Sequence, residues 1–251
     1  AASDVYKRQR YPEAVVYKKI PLKPDFVGPL RVGDLDGDGK KELIFAQCYY
    51  LHNNVRKSIY GNITCVTALD LDGNIMWQIG NPEAKNSGVV SDICFQVYDL
   101  DGDGRDEVLL TKDFEILLLD GTTGKVKAKA PTPKSVTGED WGEGNENFYP
   151  RIVGDSITFC DLSGKGRPEE FIIKDRYNAL WAYDRNLNQL WSYVGKLAHY
   201  VQAYDIDGDG REEVFSGDAM LDHNGKILWR IDLYDHCDSI LMGEIDSQPG
   251  P

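Results

Sequence analysis

A nine-residue acidic segment occurs three times in the chain with nearly the same sequence. The copies begin at Asp34, Asp99 and Asp205, and each reads Asp-x-Asp-Gly-Asp-Gly-x-x-Glu. The clustered carboxylates repel one another unless a cation lies among them, and a hard divalent cation with oxygen ligands is the natural partner. The sequence therefore predicts Ca²⁺-binding loops, here named loop one (residues 34–42), loop two (99–107) and loop three (205–213).

The spacing of the acidic residues indicates which of them bind the ion. Asp side chains at alternate positions converge when the backbone curls, and the seventh carbonyl and the last Glu complete the shell. The predicted metal ligands are Asp34, Asp36, Asp38, Lys40, Glu42, Asp99, Asp101, Asp103, Arg105, Glu107, Asp205, Asp207, Asp209, Arg211 and Glu213. An EF-hand needs a later Glu and flanking helices, but Phe45, Leu110 or Ser216 stands at that position. Short loops between strands fit better; the alternative is three acidic surface turns.

Two further copies of the segment are incomplete. Residues 161–169 form a degenerate loop in which Ser163 and Lys165 replace two Asp residues. We expect this loop to bind no metal and the Lys165 ammonium to take the place of the ion. Another copy starts at Glu244 and stops with the chain. The expected cofactor is therefore Ca²⁺ at about three sites.

The segments around the loops predict short strands. The residues four and two before each loop are apolar, as Leu30 and Val32 are, and a second apolar segment follows the loop. This alternation indicates half-buried strands, and a further hairpin follows with turns such as Asp72-Gly73-Asn74. Repeated four-stranded units predict an all-β fold, a β-propeller of about four blades that is part of a larger propeller. A β-sandwich would not repeat a metal loop in register, and a parallel β-helix would need shorter rungs.

Three of the second hairpins lead to a Trp at a matching place, and we expect Trp77, Trp191 and Trp229 in the core. Residues 1–10 have neither an apolar segment nor a cleavage site. They are interpreted as a non-native leader translated from a sequencing adapter, which leaves residues 11–251 as the propeller fragment.

Composition narrows the range of partners. The net charge of −13 disfavours nucleic acid and anionic membranes, and 41% hydrophobic residues indicate a globular chain. The five Cys residues form no Cys-x-x-Cys pair, so we expect buried free thiols, or free thiols and one disulfide. Low-affinity calcium loops suit high free Ca²⁺, so we expect an extracellular or periplasmic monomer.

Segments outside the loops carry a resemblance to a known family. With the ordered acidic loops, the segment Trp141–Asn145, the strand around His199 and the pair His236 and Asp238 make the chain similar to family 11 rhamnogalacturonan lyases. The resemblance implies an eight-bladed propeller with calcium loops that cleaves the rhamnogalacturonan backbone of pectin by β-elimination. Integrin-like FG-GAP repeats share the acidic loops, so a non-catalytic FG-GAP-like propeller that binds glycan or protein is the alternative.

The chain departs from the family in two segments. The family's His-Gly-Asp reads His236-Cys237-Asp238, and its Trp-Asp-Pro is replaced by Gln47-Cys48-Tyr49. These segments lie where substrate should be held, so a relative that acts on another uronate polymer is a further alternative. We expect the fragment by itself to be inactive.

The implied elimination reaction needs three kinds of group. A cation neutralises the C6 carboxylate of the uronate, a base takes the C5 proton, and an acid protonates the leaving oxygen. The catalytic candidates are Arg176, His199, Lys174 and Tyr177. The substrate-binding candidates are Asn53, Asn54, Arg56, Lys57, Trp141, Asn145 and His236. For each His the alternative is a structural hydrogen-bonded role, and for Arg176 it is a surface ion pair.

Overall fold

The computed structural model describes residues 15–22, 28–52, 57–82, 93–136, 149–233 and 237–243, without the side chains of residues 50–52 and 57–60. These residues form strands, turns and loops, and none of them lies in a helix that could cross a membrane. The strands are β1 (Leu30–Gly33), β2 (Glu42–His52), β3 (Lys57–Leu69), β4 (Ile75–Gly80), β5 (Phe95–Tyr98), β6 (Glu107–Lys112), β7 (Glu115–Leu119), β8 (Val126–Pro131), β9 (Ser156–Cys160), β10 (Glu170–Lys174), β11 (Ala179–Asp184), β12 (Gln189–Val194), β13 (Leu197–Tyr204), β14 (Glu213–Gly217), β15 (Ala219–Leu221) and β16 (Ile227–Arg230).

The strands form four antiparallel sheets, and each sheet contains four strands that are consecutive in the chain. Sheet one contains β1–β4, sheet two β5–β8, sheet three β9–β12 and sheet four β13–β16. Neighbouring strands are joined by hairpins, as the turn residues predicted. The all-β expectation and the four-stranded units are thus confirmed.

Each acidic loop joins the first two strands of its sheet, and its last Glu begins the second strand. Glu42 pairs with Gly33 across the hairpin, and Glu107 pairs with Tyr98. In sheet three the residue at this place is Glu170, which pairs with Cys160. The expectation that the degenerate loop ends at Glu169 is therefore wrong. This loop is one residue longer than the others.

The hydrophobic core lies between successive sheets. In β6, Val108 and Leu110 pack toward sheet one with Ile44, whereas Leu109 packs toward sheet three with Ile173. A third cluster joins sheets three and four in the same way. A central strand that is buried on both faces reads as a continuous apolar segment, which explains the run of apolar residues after each loop. Burial of each such side chain contributes about 1.5–3 kcal/mol.

Two of the matching Trp residues connect one sheet to the next. The indole Nε1 of Trp77 donates to the carbonyl oxygen of Gly121 at 2.6 Å, and that of Trp191 donates to the carbonyl oxygen of His223 at 2.9 Å. Both acceptors lie in the second-hairpin turn of the following sheet. Trp77 is buried, but Trp229 at the same place in sheet four is 44% exposed. The expected core position is thus wrong for Trp229, because among the described residues no sheet follows sheet four.

The five Cys residues are free, and four of them are buried. Burial raises the pKa of the Cys48 thiol to about 11. These thiols therefore stay protonated near neutral pH and act as small apolar side chains. Of the two expectations for the cysteines, the one without a disulfide is confirmed.

We predict that Gly124→Ala destabilises the protein more than Gly166→Ala does. Both glycines have a positive φ, of 69° and 77°, so either alanine costs about 1–2 kcal/mol of backbone strain. A Cβ at Gly124 would lie 2.6 Å from the Trp77 ring, whereas a Cβ at Gly166 meets no atom within 4 Å. We expect Gly124→Ala to cost roughly 2 kcal/mol more, measured by urea unfolding. Equal losses in the two variants would contradict the close approach of turn and indole.

Candidate functional site

The three intact loops share one backbone conformation. In loop one the amides of Gly37 and Gly39 donate to the two carboxylate oxygens of Asp34 at 2.8 and 2.9 Å. The amide of Leu35 donates to Glu42 Oε2 at 2.8 Å. The same bonds occur in loops two and three. Both glycines have positive φ, of 78° and 82°, which glycine adopts without strain.

The fold gathers three carboxylates in each intact loop. The side chains of the Asp residues at loop positions one and three and of the last Glu have ligand atoms within 4.8 Å of one another. The three groups are Asp34, Asp36 and Glu42; Asp99, Asp101 and Glu107; and Asp205, Asp207 and Glu213. Carboxylate oxygens are the ligands that a hard divalent cation prefers, so these residues fit such an ion.

The fifth residue of each loop lies outside these groups. Asp38 accepts a hydrogen bond from the amide of Lys40 at 2.8 Å, and its carboxylate also pairs with the Lys40 ammonium at 2.6 Å. Asp103 and Asp209 accept from Arg105 and Arg211 in the same way. The hydrogen bonds to Lys40 lower the pKa of Asp38. As metal ligands, these Asp residues and the carbonyls of Lys40, Arg105 and Arg211 stay predictions.

The charge in loop one favours a bound cation. Burial raises the pKa of Glu42, and the neighbouring carboxylates of Asp36 and Asp34 raise it further against the hydrogen bond from Leu35. Glu213 is affected in the same way by its burial and by its loop. A buried carboxyl group whose neighbours are also negative is stabilised by a bound cation.

Loop three contains a further acidic neighbour that the sequence analysis did not assign to a site. The side chains of Asp222 and His223 lie within the same 4.8 Å of Glu213. His223 Nδ1 is 2.6 Å from Asp222 Oδ1, and its Nε2 is 3.4 Å from Arg211 Nη1. The sequence showed these residues only as a turn, since nothing in one sequence places that turn beside loop three.

The degenerate loop does not form such a carboxylate group. Asp161 accepts hydrogen bonds from the amides of Lys165 and Gly166, at 2.9 and 2.6 Å. The Lys165 ammonium pairs with Glu169 and is half exposed, so it does not take the place of an ion beside Asp161. Because Glu170 rather than Glu169 closes the loop, Glu169 is free to turn toward Lys165. Among the described residues, the structure gathers no group of three carboxylates in this loop. That the loop binds no metal stays a prediction.

A second candidate site lies at the other end of sheet three. Lys174 is the last residue of β10, at the opposite end from the degenerate loop, and its side chain is fully buried. Its ammonium forms an ion pair with the buried carboxylate of Asp155 and donates to the carbonyl oxygen of Arg176 at 2.5 Å. The structure thus places Lys174 beneath the site, where it holds the Arg176 backbone. The sequence analysis missed Asp155, because no motif marks its position.

Tyr177 and His199 form the centre of this second site. Tyr177 Oη lies 3.1 Å from His199 Nε2, and the two rings meet edge to face with centroids 5.3 Å apart. The guanidinium carbon of Arg176 lies 5.2 Å from the centroid of the Tyr177 ring. The same nitrogen, His199 Nε2, lies 3.6 Å from Asp238 Oδ1. A phenol, an imidazole and a carboxylate in contact can take up and pass on a proton.

The fold therefore brings Arg176, Tyr177 and His199 together, as the sequence analysis required. His199 is held by its own backbone, because its amide donates to the carbonyl oxygen of Cys237 at 3.0 Å. The remaining substrate-binding candidates lie outside the described residues: Asn53, Asn54, Arg56, Trp141, Asn145 and His236. Lys57 begins β3, but its side chain is also outside the description.

Four successive four-stranded sheets with acidic loops that could hold a cation define an all-β repeat protein, and comparison with known proteins identifies its family. The sequence profile of rhamnogalacturonan lyase family 11, C-terminal domain, matches residues 27–127 and 171–250. The chain belongs to this family.

The similar proteins include two curated enzymes of Bacillus subtilis (strain 168). The chain is 29% identical to the rhamnogalacturonan endolyase YesW over 266 residues, and 26% identical to the rhamnogalacturonan exolyase YesX over 259 residues. These matches cover 87% and 86% of this chain but 42% of each relative. The chain therefore spans less than half the length of these relatives.

A solved rhamnogalacturonan lyase also resembles this structure. The family 11 polysaccharide lyase of Bacillus licheniformis superimposes with a TM-score of 0.68 at 25% sequence identity. The match covers 94% of this chain and 48% of that enzyme. The arrangement of sheets described above is thus shared with a lyase of the same family.

We predict that Asp155→Asn lowers the free energy of unfolding by about 3–5 kcal/mol, because it leaves the buried Lys174 ammonium without its counter-ion. The double variant Asp155→Leu/Lys174→Met, which removes both charges, should recover most of that loss. Lys129→Met is the matched control, since its 2.9 Å pair with Glu115 is exposed and contributes at most about 1 kcal/mol. Urea unfolding measures all three. A loss in Asp155→Asn no larger than in Lys129→Met would show that the pair is not structural.

Proposed function

We propose that this chain is part of a calcium-dependent lyase that cleaves rhamnogalacturonan, a pectin-type polysaccharide, by β-elimination. Family membership over residues 27–127 and 171–250 carries the proposal. That span contains the three intact loops and the group formed by Arg176, Tyr177 and His199. The curated relatives are an endolyase and an exolyase, so the proposal concerns the reaction and not the place of cleavage along the polymer.

The second site supports the proton transfers of this reaction. In β-elimination a base removes the C5 proton, the C4–O bond breaks, a C4=C5 double bond forms and the leaving oxygen takes a proton. Tyr177 and His199 share a hydrogen bond, so one group can take the C5 proton while the other donates a proton to the leaving oxygen of the substrate. The Arg176 guanidinium beside them neutralises the C6 carboxylate, which makes the C5 proton more acidic.

Lys174 was a catalytic candidate from the sequence, but in this proposal it has a positioning role. Its buried ammonium is engaged by Asp155 and by the Arg176 carbonyl, so it positions the segment that carries Arg176 and Tyr177. Asp238, next to His199, helps to orient the imidazole. Substrate contacts by Asn53, Asn54, Arg56, Lys57, Trp141, Asn145 and His236 remain part of the proposal.

Calcium is the cation that we propose for the three intact loops. The all-oxygen donor set and the short Asp-Gly-rich turns suit Ca²⁺ better than a transition metal. When bound, the ion supplies the positive charge that the loop carboxylates lack. The loops join paired strands, so their occupancy stabilises one end of each sheet. Such loops function where free Ca²⁺ is high, and we therefore propose an extracellular or periplasmic location for a monomeric enzyme.

We propose that the four sheets are successive blades of an incomplete β-propeller. Serial packing of each sheet on the next supports this, since the two sheets of a sandwich share a single core. The indole of Trp77 bonds to the turn of the following sheet, and that of Trp191 does the same. The same contact thus joins sheet one to sheet two and sheet three to sheet four, as expected for a repeated unit. The exposed Trp229 on β16 suits the same contact with another blade.

Activity of the full-length protein tests the lyase proposal. The enzyme should release unsaturated uronate product from rhamnogalacturonan, seen as new ultraviolet absorbance. We expect Tyr177→Phe and His199→Gln to lower the rate by about 10²–10⁴-fold, because each removes one proton-transfer group. Tyr17→Phe is the control, since Tyr17 is almost fully exposed and far from both sites in the sequence.

Three outcomes of this experiment are informative. Loss of product in Tyr177→Phe and His199→Gln, with unchanged melting temperatures, supports the assigned roles. Full activity in both variants contradicts them. Binding of the polymer without product on any uronate polymer would favour the non-catalytic FG-GAP-like propeller.

If loop one binds Ca²⁺, the effect of Glu42→Gln on the melting temperature should differ between protein without Ca²⁺ and protein with Ca²⁺. With a chelator, the variant should melt at or above the wild-type temperature, because an amide replaces a buried carboxylate with a raised pKa and its oxygen still accepts from Leu35. With Ca²⁺, the wild type should gain several degrees by mass action and the variant should gain less. Glu115→Gln, an exposed residue outside the loops, is the control. Identical calcium shifts in wild type and Glu42→Gln would refute metal binding at loop one.

A further inference from the structure

Loop two differs from the other intact loops because a lysine reaches into its carboxylate group. Lys127 on β8 places its ammonium 2.6 Å from Asp101 Oδ2 and 2.9 Å from Glu107 Oε1. These residues are two of the three whose ligand atoms cluster in this loop. Glu107 is almost completely buried, with 3% of its side chain exposed. The Lys127 ammonium thus lies where a metal ion bound to loop two would lie.

Loops one and three have no such lysine. The strand register places Lys127 between Val126 and Ala128, which pair with the last two residues of β7. By the same register, Met76 stands at this place in sheet one and Leu228 in sheet four. Met76 and Leu228 are apolar, so neither can supply an ammonium. Within the described ranges, no lysine or arginine forms an ion pair with Glu42 or Glu213.

The charges of the loop groups differ as a result. Loops one and three each gather three carboxylates without a cation, whereas loop two gathers three carboxylates with one ammonium. Burial raises the pKa of Glu107, as it does that of Glu42, but in Glu107 the hydrogen bond from Lys127 works against this rise. Burial disfavours the Lys127 ammonium, yet its bonds to Asp101 and Glu107 outweigh burial and raise its pKa.

The space around Lys127 lets the ammonium leave the loop. A cavity of about 550 Å³ lies between sheets two and three, lined by Asp101, Lys127 and Arg185 among others. The lysine side chain is 30% exposed, so it reaches solvent through this opening. A divalent ion entering loop two must therefore displace a bound ammonium, and the cavity gives that ammonium somewhere to go.

We propose that Lys127 is a built-in counter-ion of loop two, so that the chain binds two divalent cations tightly, in loops one and three, and a third only weakly. This inference rests on the proposed calcium binding and makes it more specific. A metal ion at loop two gains the attraction of the carboxylates but loses the ion pairs of Lys127, whereas ions at loops one and three displace no such lysine. Loop two consequently keeps its conformation without metal.

Equilibrium dialysis of the full chain against Ca²⁺ tests the proposal. The wild type should bind two ions tightly and a third with an affinity that is lower by about tenfold or more. Even a modest loss of charge interaction changes the affinity by this factor. Lys127→Met, which introduces the residue that sheet one has at this place, should bind three ions with similar affinity. Lys127→Arg should keep the wild-type pattern, and Lys129→Met, two residues along the same strand, should also leave it unchanged.

A second measurement does not depend on metal. In chelator, hydrogen exchange at Leu100, Gly102 and Gly104 should be slower in the wild type than at the equivalent amides of loop one. Lys127→Met should abolish that protection and lower the melting temperature, because it leaves the buried Glu107 among other carboxylates. Lys129→Met should do neither.

The outcomes separate the inference from the proposed function. Three equal tight sites in the wild type, or an unchanged weak site in Lys127→Met, would overturn the role of Lys127 and leave calcium binding intact. No binding of Ca²⁺ by the wild type and by Lys127→Met would overturn calcium binding and this inference together. Equal hydrogen exchange in loops one and two in chelator would contradict the built-in counter-ion whatever the dialysis shows.

Discussion

The mutual repulsion of carboxylates at the tip of each first hairpin is the constraint on which this structure depends. Backbone amides from the Gly-rich turn donate to the first Asp, and the amide that follows it donates to the closing Glu. These bonds hold the loop closed but do not remove its charge. The three intact loops therefore favour a cation, whether a divalent ion, as proposed for loops one and three, or the Lys127 ammonium in loop two.

The second candidate site lies at the end of sheet three opposite the degenerate loop. The loop end sets the strand register, and the register decides which residues lie at the opposite end. Once Glu170 is fixed at the start of β10, Lys174 must fall at the buried far end of the same strand. The ion pair with Asp155 then supports the short segment that presents Arg176 and Tyr177 to His199. A segment supported by a buried ion pair keeps its geometry, which is what the proposed proton transfer at a fixed distance requires.

Contacts between sheets repeat as faithfully as the loops do. Trp77 and Trp191 each donate to a turn of the next sheet, and the turn glycines leave room for the indole rings. Val108 and Leu109 on one strand face different neighbours, so sheet two contributes to two cores, and sheet three does the same. Stability in such an arrangement is a sum over neighbouring pairs, and a sheet at the edge of the described chain leaves its apolar strand exposed, as Trp229 does.

The sequence by itself determined the strands, the loops and the family, because periodic apolar residues and the Asp-Gly spacing act locally along the chain. It also indicated Arg176, Tyr177 and His199 as catalytic candidates, and the structure places these three side chains next to one another. Only the tertiary structure decided what lies beside each loop and each reactive group. The partners Asp155 and Lys127 come from distant or unmarked positions, and the closing Glu170 depends on strand register. Burial and ion pairing are properties of neighbours in space, so a single sequence cannot assign them.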